Sequence, residues 1–158
     1  MSANNPFASD DPRHAVFEMA VVRDVQAFVA GDWASIEGDF IEGGFFGLDA
    51  RGGASPVGWR LTYPTLGAYR DRWQKQSVEF RARRYASDPA QAIFGLLEVP
   101  LLELEGDSGV LLKRFDGVIQ PAEGEPLTLR WQSLFVLRRA AGAWKIAGFV
   151  GYLPLSGP

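Results

Sequence analysis

Cysteine and histidine, two side chains that carry much enzyme chemistry, are nearly absent from this sequence. It has no cysteine and a single histidine, His14, close to the N-terminus. That excludes disulfides, thiolate metal sites and a cysteine nucleophile. A histidine-rich metal centre is excluded too, and a Ser-His-Asp triad would depend on His14 alone. If the chain is an enzyme, carboxylates, tyrosines and arginines must do the work. The patterned candidates lie late in the chain. Arg114 and Asp116 stand two residues apart in LLKRFDG, on one strand face with the apolar Val110 and Leu112. Charged groups that extend an apolar row form either a pocket wall or an ion pair at the sheet end. Arg130 and Gln132 raise the same choice beside Leu134 and Val136. Buried charge must be paired, so a contact between Arg130 and Asp116 on neighbouring strands is expected.

The element that must position these groups is PLTLRWQSLFVLRRAAGAWKIAGFVGYLP, residues 126–154. Its strict alternation predicts two long strands. With Ala141-Gly142 as a two-residue loop, Trp131 falls opposite Tyr152, Phe135 opposite Gly148 and Leu137 opposite Ile146. Val136 then meets Ala147, and Leu134 meets Phe149. Both faces of the hairpin are apolar in the middle, so each needs a cover.

Ahead of the hairpin the pattern is helical. Residues 1–10 read as an unstructured tail and 11–158 as one domain. Asp11-Pro12 starts a helix, and Phe17, Val21, Val25 and Phe28 carry it to Gly31. Asp32 caps a shorter helix through Trp33, Ile36 and Phe40. A short strand over 45–49 and a glycine-rich mobile loop follow, with no phosphate-binding spacing. Thr65 caps a third helix bearing Leu66, Tyr69, Trp73 and Phe80, and Ser87-Asp88-Pro89 starts a short fourth. From Leu97 the period becomes two, giving strands over 97–105, 110–120 and the final pair. Helices first and a strand meander last predict an α+β fold, with helices on one face of a curved antiparallel sheet.

At 158 residues, with 47% hydrophobic and 22% charged residues, the chain has the balance of a globular domain. A net charge of −3 gives no attraction to nucleic acid, and the cluster Arg81, Arg83 and Arg84 reads as solvated surface. No apolar run is long enough to cross a membrane. The first residues lack the pattern of a signal peptide, so the expected location is the cytoplasm. An apolar outer sheet face suggests a homodimer through the sheet.

This order of elements resembles the nuclear transport factor two-like superfamily, and within it the SnoaL-like proteins. The segments FVAGDWASIEGDF, LTYPTLGAYRDRW and LRWQSLFVLRRAAGAWKIAGFVGYLP carry the similarity, over about residues 12–154. The resemblance implies a cone-shaped α+β fold of the cystatin-like kind, its curved sheet wrapping the helices around a pocket at the wide end. It implies no cofactor, and a small hydrophobic or carbonyl-containing ligand. Members include polyketide cyclases, ketosteroid isomerases and dehydratases, which use an acidic base beside donors that stabilise an enolate, and binders with no known chemistry. Asp49, on the short strand, stands where that base is expected; the plainer reading is a turn with Gly52-Gly53. Arg51 would hold an oxyanion or lie exposed in its loop. Tyr63, Tyr69 and Trp73 would line the pocket, a tyrosine donating to an oxyanion, or serve as core. Trp131 and Tyr152 read first as core or interface, with their rim open to ligand.

Overall fold

The computed structural model describes residues 4–155. Asp11 accepts a hydrogen bond from the Arg13 amide and starts α1 (Pro12–Phe17). The helix runs on through a π-helical turn (Glu18–Arg23) into α2 (Asp24–Ala30), and ends on Gly31 at φ 72°. Glycine is the residue that reaches that left-handed cap without steric cost. The expected span 12–30 is therefore right, but the π turn is new. It buries four consecutive residues, Met19 to Val22, and sits immediately before Asp24. The helix expected over 32–40 is instead two 3₁₀ turns, Trp33–Ser35 and Glu37–Asp39, with Asp32 accepting from the Ser35 amide. Gly38 falls in the second of these turns, and glycine weakens a helix interior.

Thr65 caps α3 (Leu66–Arg81), and Asp88 caps α4 (Pro89–Phe94). The strands are β1 (Phe46–Asp49), β2 (Arg60–Tyr63), β3 (Leu97–Glu105), β4 (Ser108–Ile119), β5 (Leu127–Ala140) and β6 (Ala143–Leu153). They form one six-stranded sheet in the order β2-β1-β6-β5-β4-β3, antiparallel except where β1 runs parallel to β6. The fold is α+β as expected. β2 has no counterpart among the expected elements; its first three residues are exposed and only Tyr63 is buried.

The terminal hairpin turns on Ala141 and Gly142, both at positive φ, and pairs Leu137 with Ile146 as expected. Beyond that point the expected register fails. A bulge pairs Val136 with Gly148, Phe135 with Phe149 and Leu134 with Val150, and a second shift pairs Gln132 with Leu153. Each bulge inserts a residue into β6 that period-two reading cannot see. The consequence is that Phe149 joins Phe135 on the concave face. The rings of Trp131 and Tyr152 still meet, at 5.3 Å between centroids.

Helices cover the concave face. One buried cluster joins Val16, Val21, Trp33, Ile36 and Phe40 to Leu111, Phe135, Leu137, Ile146 and Phe149. A smaller one joins Val25, Phe80, Ile93 and Ile119 towards the other end. The tail reading also gives way where it falls on described residues. Asn5 donates to the His14 carbonyl and to Glu18, and the Phe7 ring packs on Phe17. Residues 1–3 lie outside the described part. No described helix is long and apolar enough to cross a membrane.

Candidate functional site

Between α2, α3 and strands β4 to β6 lies a cavity of about 340 Å³, the size of a small-ligand site. Its walls are aromatic: Phe28, Trp73 and Phe80 from the helices, and Phe115, Trp131, Phe135 and Phe149 from the sheet. Glu79 and Arg83 are exposed at its rim, whereas Lys113, Ser133, Phe135 and Phe149 are buried at its inner end.

That inner end holds a charge pair. Lys113 Nζ donates to Asp24 Oδ2 at 2.9 Å, with the two side chains 3% and 26% exposed. The same ammonium lies 4.9 Å from the centre of the Phe135 ring, a cation–π contact. An ammonium carries three donors, and only one is committed to Asp24. Ser133, buried on the neighbouring strand, lines the same cavity.

Three tyrosines add hydroxyls. Burial pushes the Tyr69 phenol well above its ordinary pKa, and the charge of Asp24 pushes the same way. Burial also raises Tyr63, followed by the influence of Tyr152. Both are therefore neutral donors at physiological pH. Tyr152 accepts a hydrogen bond from Gln76 Nε2 at 2.8 Å. Its backbone sits at φ 56°, and its carbonyl accepts from the Gly52 amide at 2.8 Å. A bulky side chain in that region costs about 1–3 kcal/mol, a kind of strain that gathers at functional sites. Among the described residues no cluster of three or more His, Asp or Glu is placed to hold a metal.

No family model matches the chain, and no curated protein matches it. Solved structures do. A domain of unknown function with a cystatin-like fold from Nostoc punctiforme is 14% identical, with a TM-score of 0.60 over 94% of this chain and 81% of that one. An NTF-2 like protein of unknown function from Silicibacter pomeroyi is 16% identical, with a TM-score of 0.54 over 92% and 98% of the two chains. An NTF2-like protein with a cystatin-like fold from Novosphingobium aromaticivorans is 14% identical, with a TM-score of 0.56 over 96% and 94%. The fold is that of the NTF2-like proteins.

On this NTF2-like frame the residues singled out from the sequence separate cleanly. Tyr63, Tyr69, Trp73, Trp131 and Tyr152 line the cavity. Asp49, Arg51, Arg114, Asp116, Arg130 and Gln132 are not in its lining. Asp49 accepts from the Arg51 amide at 2.8 Å and opens a turn in which Arg51 and Gly52 both have positive φ. Arg51 is exposed in that turn. Arg130 and Asp116 do meet, at 3.3 Å, but at 62% and 53% exposure the pair stands in water. Arg114 reaches Gln132 and Glu98, and Gln132 also donates to the Pro154 carbonyl. The reason is the period of a strand. Residues 114, 116, 130 and 132 point away from the helices because 113, 115, 131 and 133 point towards them.

Asp24, Lys113 and Ser133 were missed. Two of them carried a signal. Asp24 interrupts the apolar stripe Phe17, Val21, Phe28, and Lys113 interrupts the row Leu111, Phe115. A carboxylate and an amine that each break an apolar row on elements expected to pack together must meet or be unpaired.

Proposed function

We propose that the cavity binds a small, mostly apolar carbonyl compound, and that the protein acts on it as a cofactor-free isomerase, cyclase or dehydratase of the SnoaL-like kind. The observation that carries this reading is the Asp24–Lys113 pair at the inner end of an aromatic cavity. Apolar walls hold the body of the ligand, while Lys113, Ser133 and Tyr69 offer donors to its oxygen. Asp24 takes the proton from the carbon next to the carbonyl. The enolate oxygen is stabilised by the same donors, each worth about 3 kcal/mol in a site shielded from water. The base role belongs to Asp24 rather than Asp49, because the Asp49 carboxylate is engaged in its turn and lies outside the lining.

The test uses 2-acetylnaphthalene in deuterated water, with exchange of its methyl protons followed by NMR. The expected result is exchange faster than in buffer, falling about 100-fold in Asp24→Asn. Loss of exchange in Asp49→Asn but not in Asp24→Asn would reverse the assignment. A second reading, a binding module without turnover, is favoured by Asp24 Oδ2 being already engaged by Lys113. Saturable binding with exchange at the buffer rate would select it.

A homodimer through the outer sheet face belongs to the same proposal. Val110, Leu112, Leu134 and Val136 form a half-buried apolar row there, beside the Arg130–Asp116 and Arg114–Glu98 pairs. Sedimentation of a monomer at micromolar concentration would refute it.

A further inference from the structure

We propose that Lys113 is a covalent site, where the amine condenses reversibly with a bound aldehyde or ketone to form an iminium ion. This rests on reading the cavity as a carbonyl-ligand site and deepens it by changing how the carbonyl is activated. Of the chain's three lysines, Lys75 is exposed and Lys145 donates to the Gly38 carbonyl at the surface. Lys113 alone lines the cavity, 2% exposed, with a carboxylate at 2.9 Å and an aromatic ring at 4.9 Å. A lysine forms such adducts as its neutral amine, so it needs a proton acceptor beside it, and Asp24 stands in that place.

The pair supplies every proton the step needs. An apolar ligand entering the cavity expels water and removes solvation from both charges. The ammonium passes a proton to Asp24, leaving a neutral amine beside a carboxylic acid. The amine nitrogen bonds to the carbonyl carbon, and the π electrons move onto oxygen. Asp24 gives its proton to that oxygen and takes one from the nitrogen, leaving a carbinolamine beside the acid. A second transfer from Asp24 expels the hydroxyl as water, and the nitrogen lone pair forms the C=N bond. One cation faces one carboxylate at the start and at the end, and the net change is loss of one water. The iminium withdraws electrons more strongly than the carbonyl did. The regenerated Asp24 carboxylate is then placed to remove the neighbouring proton.

The experiment incubates the full chain with 2-naphthaldehyde and sodium cyanoborohydride, then maps the reduced naphthylmethyl group by peptide mass spectrometry. The expected result is one group per chain, on Lys113, at roughly tenfold over Lys75 and Lys145. Removing Lys113 alone leaves Asp24 unpaired, so the site is read on the unaltered chain, with the double variant Asp24→Asn, Lys113→Met as the blank. No adduct, or an even spread over the lysines, overturns the covalent step. If 2-naphthol still quenches tryptophan fluorescence saturably in that case, the cavity reading stands without it. If neither compound binds, both readings fall.

Discussion

Lys113–Asp24 ties β4 to α2 on the helix-covered face of the sheet, whereas Arg130–Asp116 ties β5 to β4 on the opposite face. Both join a basic to an acidic side chain, at 2.9 Å and 3.3 Å. The first sits among aromatic rings with its lysine 3% exposed, and the second stands 62% and 53% exposed. Near water the attraction is screened and offset by side-chain entropy, so an exposed pair contributes about 0–1 kcal/mol. Inside the cavity Lys113 is 3% and Asp24 26% exposed, so removing one partner strands the other with little water around it. The two pairs look alike as residue types. Which strand face they occupy decides whether they decorate a surface or hold a chemically usable charge.

The largest effect that can break this contrast is Lys113→Met. It is expected to lower stability by about 3–5 kcal/mol in urea unfolding, with much of the loss recovered when Asp24→Leu is added. A loss below about 1 kcal/mol would put the Lys113 pair in the same class as the exposed one. An intermediate effect concerns the tyrosines. Tyr63, Tyr69 and Tyr85 have pKa values raised above 10.0 by burial. A raised value in the folded state means the contribution is present below the unfolded value and lost as pH climbs through the folded ones. Stability is therefore expected to fall above pH 10.0, with tyrosinate absorbance from Tyr69 appearing together with unfolding. Tyrosinate of Tyr63, Tyr69 and Tyr85 forming ahead of any unfolding would contradict the burial. The smallest effect is Arg130→Ala, expected within about 1 kcal/mol and weaker still in salt.

Local rules make much of the fold legible in the sequence. Asp11, Thr65 and Asp88 cap the helices they were expected to cap, Gly31 ends the first, and Ala141-Gly142 turns the hairpin. Each of those depends on residues within one turn of the chain. What was hidden depends on distant partners. β2 is defined by its pairing with β1, and the bulges in β6 show only in its register against β5. Likewise Asn5 and Phe7 are ordered by a helix that begins after them. The site divides the same way. Aromatic rings in an apolar row were visible as pocket or core. Asp24 and Lys113, 89 residues apart, acquire meaning only when α2 and β4 bring them together. Arg114, Asp116, Arg130 and Gln132 formed the more obvious pattern because a dense charged row stands out, and solvent is where such rows are stable.

The most direct test is calorimetric titration of 2-acetylnaphthalene into three forms of the chain: unaltered, Ser133→Leu and Arg130→Ala. Ser133 lines the inner end of the cavity, and Arg130 lies on the other face. The account predicts saturable one-site binding in the unaltered chain and in Arg130→Ala, and its loss in Ser133→Leu. Binding that survives Ser133→Leu, or disappears in Arg130→Ala, would place the ligand outside the cavity and contradict it.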